Sequence, residues 1–175
     1  MTTYYPQIVA KAAELGFVPF IKLTTLKLRG TRINDSTLAT IIEHTPNLQK
    51  LDISFTSIRN PWPIKLTDFT TLPLEKLSIT QVPVPPKVLL DTLPHFPHLK
   101  KLHMGAHNGV AHQATTVTDS LLRSLTDVLV DLVHLEQVNL VGNAKLGLSG
   151  PKGGGALADF ITRVGRRCTV GGAYS

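Results

Sequence analysis

LTTLKLRGT (Leu23–Thr31), LQKLDISFT (Leu48–Thr56), LEKLSITQV (Leu74–Val82), LKKLHMGAH (Leu99–His107) and LEQVNLVGN (Leu135–Asn143) are five versions of one template, L-x-x-L-x-L. GRRCTVGGA from Gly165 is a weaker sixth copy. The starts lie 25, 26, 25, 36 and 30 residues apart, a spacing expected when each copy forms one structural unit stacked on the last. In each copy a short strand turns positions 1, 4 and 6 toward the core, because a bend between 1 and 4 breaks strict alternation. All fifteen of these positions in the first five copies are apolar, among them Leu26 and Leu28, Leu51 and Ile53, Leu77 and Ile79, Leu102 and Met104, Val138 and Leu140. In the sixth copy Gly165 fails position 1 while Cys168 and Val170 fit, so Cys168 reads as a buried side chain and not a nucleophile.

Between copies the chain has to return along the outer surface. Asn34-Asp35-Ser36 caps a helix carrying Leu38, Ile41 and Ile42 and ending at Thr45-Pro46. Thr118-Asp119-Ser120 starts a second, with Leu122, Leu125, Leu129 and Leu132, and Gly154-Gly155-Ala156 a third, with Leu157, Phe160, Ile161 and Val164. Pro61 and Pro63 break the second return, and Pro83, Pro85 and Pro86 delay the third, so short turns or 3₁₀ pieces are expected in both. Matching Ile33 to Val117 locates the extra length of the fourth copy near 106–116, AHNGVAHQATT, beyond the end of the strand. Such a rim loop is either a recognition element or a tolerated insertion.

The repeats resemble the leucine-rich repeat family, and the resemblance runs from Leu23 to residue 175. It implies an α/β fold: a leucine-rich repeat solenoid, a short parallel-strand horseshoe of five to six repeats with helical or irregular convex segments. Residues 1–22 would supply a short helical N-terminal cap. Ile33-Asn34-Asp35, echoed by Val117-Thr118-Asp119, is similar to the helix start in F-box leucine-rich proteins, substrate receptors of ubiquitin ligases. Thr31 and Thr56 stand where that subclass usually has cysteine, and the first 22 residues lack the pattern of an F-box. Leu140-Val141-Gly142-Asn143 is more similar to ribonuclease-inhibitor-type repeats, with Asn143 at the asparagine that bonds backbone in the turn. Those inhibitors are acidic and this chain is basic, which argues against a ribonuclease as partner.

In such a horseshoe positions 3, 5 and 7 face the concave side. Position 3 runs Thr25, Lys50, Lys76, Lys101, Gln137, Arg167; position 5 runs Lys27, Asp52, Ser78, His103, Asn139, Thr169; position 7 begins with Arg29. Lys50, Lys76 and Lys101 then form a ladder of like charge on neighbouring strands, which is either a contact surface for an acidic partner or a solvated face. Phe55 at position 8 and Trp62 in the Pro61-Trp62-Pro63 turn are candidate aromatic anchors, Trp62 also suiting the cover of a short return segment. The partner-binding set is therefore Lys27, Arg29, Lys50, Asp52, Phe55, Lys76, Lys101 and His103.

The 175 residues, 42% hydrophobic and 17% charged, suit a single domain. One cysteine cannot form an internal disulfide, and Lys11 and Glu14 interrupt any secretory core in the first twenty residues. A reducing compartment, cytoplasmic or nuclear, and no membrane partner are expected. The formal charge of +6 biases the chain toward acidic surfaces without identifying one.

His95, His98, His103, His107 and His112 are numerous, but the template sends them in different directions, so no metal site is expected. Gly147 to Gly155 precedes a helix without the G-K-S or G-K-T of a phosphate loop. Asp35, Asp119 and Asp159 stand where helices begin, a structural post, and no serine elbow is present. These readings predict a non-catalytic module without cofactor that binds a protein on its concave face and rim loop. The alternative is a basic surface for nucleic acid or another polyanion, for which few aromatics are available to stack bases. A last strand left open near 165 would be covered by a partner, pair weakly with a second copy, or continue into a longer array.

Overall fold

A computed structural model describes residues 20–58, 72–106, 117–143, 145–146, 155–165 and 169–171. The protein is α/β, with an open, all-parallel sheet and helices between its strands. In chain order the elements are β1 (Thr25–Lys27), α1 (Asp35–Glu43), β2 (Lys50–Asp52), β3 (Lys76–Ser78), α2 (Pro86–Thr92), β4 (Lys101–His103), α3 (Asp119–Leu129), β5 (Gln137–Asn139), α4 (Gly155–Phe160) and β6 (Thr169–Gly171). The sheet order is the chain order, β1 to β6. Each copy of the sequence motif thus adds one strand beside the last.

The strands are only three residues long, yet their ladder continues past both ends. Residues at positions 2 and 3 share one carbonyl of the preceding copy, as Lys50 N and Gln49 N donate to Thr24 O, both at 2.9 Å. After the strand Leu28 N donates to Asp52 O at 2.7 Å, and at position 8 Gly30 N donates to Ser54 O and Phe55 N to Thr80 O, both at 2.9 Å. Pairing therefore covers about seven residues per copy, and it satisfies backbone groups that a three-residue strand would leave to solvent.

Of the fifteen template positions, fourteen are buried and Leu23 is half-buried. They pack with the apolar faces of the helices, Leu38, Ile41 and Ile42 from α1, Leu89 from α2, Leu121, Leu122, Leu125 and Leu129 from α3, Ala156 and Phe160 from α4, in one continuous core. Phe96 and Phe160 are fully enclosed in it. The helix caps expected from the sequence are in place. The Asn34 side chain accepts from Thr37 N at 2.8 Å, and the Thr118 hydroxyl accepts from Leu121 N at 3.3 Å.

Two expectations are corrected. The third return is an α-helix, α2, continued by a 3₁₀ turn over Leu93–His95, because Pro85 sits at the N-cap and Pro86 in the first turn, where no N–H is needed. The last strand pairs Gln137 with Thr169 and Val138 with Val170, so the sixth copy lies two residues later than a start at Gly165 requires. Gly165 is unavailable as position 1 because a π-turn, Ile161–Gly165, prolongs α4 through it. Thr169 thereby moves from position 5 to position 3. The cap region 1–19, the second return with Trp62, the insertion from His107, the glycine run 147–154, Arg167 and Cys168 lie outside the described residues.

In three copies the side chain at position 9 closes the turn. Thr31 Oγ1 donates to Leu28 O at 2.6 Å, Thr56 Oγ1 to Ile53 O at 2.7 Å, and Asn143 Nδ2 to Leu140 O at 2.8 Å. Asn143 also ties two copies together, donating to Met104 O at 3.0 Å and accepting from Val117 N at 2.8 Å. Just before it Gly142 has φ +79°, and a Cβ there would stand 1.8 Å from Ala106 O. Gly30 has φ +68° with open space around it. Gly30→Ala should cost about 1–2 kcal/mol, the left-handed backbone alone. Gly142→Ala, which adds a backbone overlap, should cost about 3 kcal/mol or more. Urea unfolding of the two variants checks the difference.

Candidate functional site

The face of the sheet opposite the core carries positions 3, 5 and 7. Register places Thr25, Lys50, Lys76, Lys101 and Gln137 in one row and Lys27, Asp52, Ser78, His103 and Asn139 in the next. The three lysines are therefore direct cross-strand neighbours, with backbones about 4.8 Å apart. An open groove of about 600 Å³ crosses β1 to β4 over these rows, lined by Thr25, Lys27, Lys50, Asp52, Glu75, Lys76, Lys100 and Lys101, with Leu26 and Leu51 at its floor.

Five lysines line the groove against two carboxylates, and both carboxylates are engaged. Asp52 Oδ1 accepts from Ser54 N at 3.0 Å, closing the turn after β2, as Asn139 Oδ1 does for Val141 N at 2.9 Å after β5. Glu75 holds Lys100 Nζ at 3.0 Å. Lys27, Lys50, Lys76 and Lys101 are left with no carboxylate in ion-pair range among the described residues. The charge is not placed there for folding, since like charges facing each other across strands destabilise.

His103 ends β4, half-buried, and its Nε2 is buried with no hydrogen-bond partner among the described residues. Burial lowers its pKa from the ordinary 6.5, and Lys76 and, less strongly, Lys101 push the same way; the Asp52 carboxylate and a hydrogen bond with the Gln137 side chain oppose them.

Arg29 and Phe55 stand beyond the groove, where the chain leaves β1 and β2. The Arg29 guanidinium lies over the Phe55 ring, 4.4 Å from its centroid, a cation–π contact. Phe55 takes φ +60°. Position 8 is left-handed in four copies, Gly30, Phe55, Gln81 and Gly142, and two of these four carry glycine, which adopts the conformation without strain. A bulky side chain there costs about 1–2 kcal/mol.

Of the residues expected to bind, Lys27, Lys50, Asp52, Lys76 and Lys101 converge on the groove and His103 adjoins its row. Arg29 and Phe55 form a separate pair. Glu75 and Lys100 were missed. They share position 2 in adjacent copies, one repeat apart, and that column was readable from the template. The cation–π pair was readable the same way, from positions 7 and 8 of neighbouring copies.

No protein-family model matches the chain, and no curated protein matches it. No group of three or more His, Cys, Asp or Glu side chains is placed to hold a metal among the described residues. His98 stacks on His134, centroids 6.0 Å apart, while His107 and His112 lie outside those residues. No helix among them is long and apolar enough to cross a membrane.

Because the His103 pKa is lower in the folded protein than in the unfolded chain, the unfolded chain takes the proton first. Its contribution to stability is fully present above pH 6.5 and is lost as the pH falls from there through the folded value. The stability of the wild type should therefore drop between pH 7 and 5 more steeply than that of His103→Gln, measured by thermal melting across the range. Phe55→Gly relieves the left-handed strain and removes a half-buried ring, so its unfolding free energy should change by less than about 1 kcal/mol. Leu51→Ala, in the core beneath, should lose about 2–5 kcal/mol in the same urea titration.

Proposed function

We propose that the chain is a non-catalytic leucine-rich repeat module, a solenoid whose strand face is concave and binds a protein partner. One strand per sequence copy, laid down in chain order with the template leucines inside, supports the solenoid. The observation that carries the function is the in-register row Lys50, Lys76, Lys101 in a groove whose carboxylates are already engaged. Such a row relaxes when an acidic surface covers it. Asn143 bonds backbone groups in its turn, the role that the resemblance implies for it, while Thr31 and Thr56 depart from the cysteine of the other subclass. A ubiquitin-ligase receptor role would further need an F-box, which residues 1–22 do not resemble. The setting in this reading is cytoplasmic or nuclear.

A nucleic acid or other polyanion is the competing occupant. No aromatic side chain among the described residues lines the groove to stack bases, which counts against it. Selectivity separates the two readings: polyanion binding falls steeply with salt and ignores sequence.

The test is affinity capture at low and high salt, with nuclease treatment, comparing the wild type with Lys50→Glu/Lys76→Glu/Lys101→Glu. A discrete protein, resistant to nuclease, should be retained by the wild type and lost by the variant. Capture of nucleic acid, or identical capture by both, removes the reading. Reversing the middle charge alone, Lys76→Glu, should raise the unfolding free energy by up to about 1 kcal/mol, because it replaces two repulsions with two attractions. Loss of binding in that variant cannot then be misfolding.

A further inference from the structure

The cationic residues of the strand face do not stop at the groove. The row Lys101, Lys76, Lys50 leads to Lys27 at position 5 of β1 and on to Arg29 at position 7, while β5 offers Gln137 and Asn139, uncharged. The three lysines span about 10 Å across the strands, and Arg29 lies about 13 Å further along β1. An extended peptide of six to eight residues, at about 3.3 Å per residue, covers that path. Arg29 ends it in a particular state. Its guanidinium carbon lies over the Phe55 ring, 4.4 Å from the centroid, and no carboxylate among the described residues is in ion-pair range of it. A guanidinium held against a ring is partly stripped of water and restricted in place, with its fork of donors free to take a carboxylate through two bonds.

Phe55 makes that contact from a left-handed backbone, φ +60°, at a turn position where Gly30 and Gly142 show that glycine serves the fold. The ring is thus kept against the preference of its own backbone. We propose that Arg29, positioned by Phe55, is the carboxylate clamp that anchors one end of an extended acidic segment of the partner, the rest of which crosses the lysine row. This rests on the strand face being the binding surface.

The probe is fluorescein-labelled N-acetyl octaglutamate, followed by anisotropy at low ionic strength, with single-stranded octadeoxythymidylate as the competing polyanion. The wild type should bind the peptide more tightly than the oligonucleotide. Arg29→Lys, which keeps the charge and loses the fork, should weaken peptide binding about fivefold or more. Phe55→Gly should weaken it by a similar factor. In the double variant the losses should not multiply, because Phe55 acts through Arg29. A merely structural Phe55 gives independent effects.

Wild-type affinity for the peptide in Phe55→Gly, or multiplied losses in the double variant, overturns the clamp while leaving the strand face as the site, provided Lys76→Glu/Lys101→Glu still abolishes binding. Unchanged binding in that lysine variant overturns both. Oligonucleotide binding as tight as the peptide's, or no peptide binding by the wild type, overturns the acidic-segment assignment.

Discussion

Residue n of each copy pairs with residue n of the next, about 4.8 Å away. This one condition, kept from β1 to β5, makes every position in the template a column of equivalents running across the molecule. The columns at positions 4 and 6 are apolar and form the floor of the core. The column at position 8 is left-handed at Gly30, Phe55, Gln81 and Gly142, and the N–H of Gly30, Phe55, Gln81 and Ala106 donates to the neighbouring copy. The column at position 9 closes the turn by side chain, with threonine twice and asparagine once. A column multiplies whatever it holds: stacked leucines gain from it, and stacked lysines are penalised by it.

That multiplication shows which charges belong to the fold. On the helical side, Arg163 at the end of α4 reaches Asp127 on α3 at 2.8 Å and Asp159 on its own helix at 3.2 Å, so cation and anions are matched. At position 2, Glu75 and Lys100 alternate in sign and pair. Position 3 breaks the rule with three lysines in succession. Exposed pairs are worth about 0–1 kcal/mol each, far below the several kcal/mol held by a buried leucine. The core therefore tolerates the lysine row without difficulty, and its electrostatic cost needs an explanation outside folding.

The repeat period was enough to place the first five strands, the core columns and four of the five groove lysines, since each depends on position within a copy and not on contacts between distant parts. Where the reading departed from the structure, the cause was local. Pro83, Pro85 and Pro86 were expected to delay the third return and leave short turns, though Pro85 and Pro86, at the N-cap and first turn, start α2. The sixth copy was aligned on Cys168 and Val170, a weak match, and the length of the preceding helix moved it by two residues. Leu23, at position 1 of the first copy, is only half-buried against the core. Glu75, Lys100 and the Arg29–Phe55 contact belong to pairs of copies. They emerge only when columns are read across the sheet instead of along the chain.

Columns also separate stability from recognition. A side chain at position 3 or 5 touches neighbours on an open face, so it can change without emptying the core, and a binding surface can be rewritten copy by copy while the leucines stay. Position 8 is the exception. At Gly30, Phe55, Gln81 and Gly142 its backbone is held left-handed, so a side chain other than glycine at these four places weighs on the fold. Phe55 carries that weight, and what it has in return on this molecule is a guanidinium on its ring. At an exposed site a cation–π contact gives about 0.5–1 kcal/mol, no more than the left-handed backbone takes away. Within the folded protein the pair roughly breaks even, and an advantage appears only when something else binds the arginine that the ring holds still.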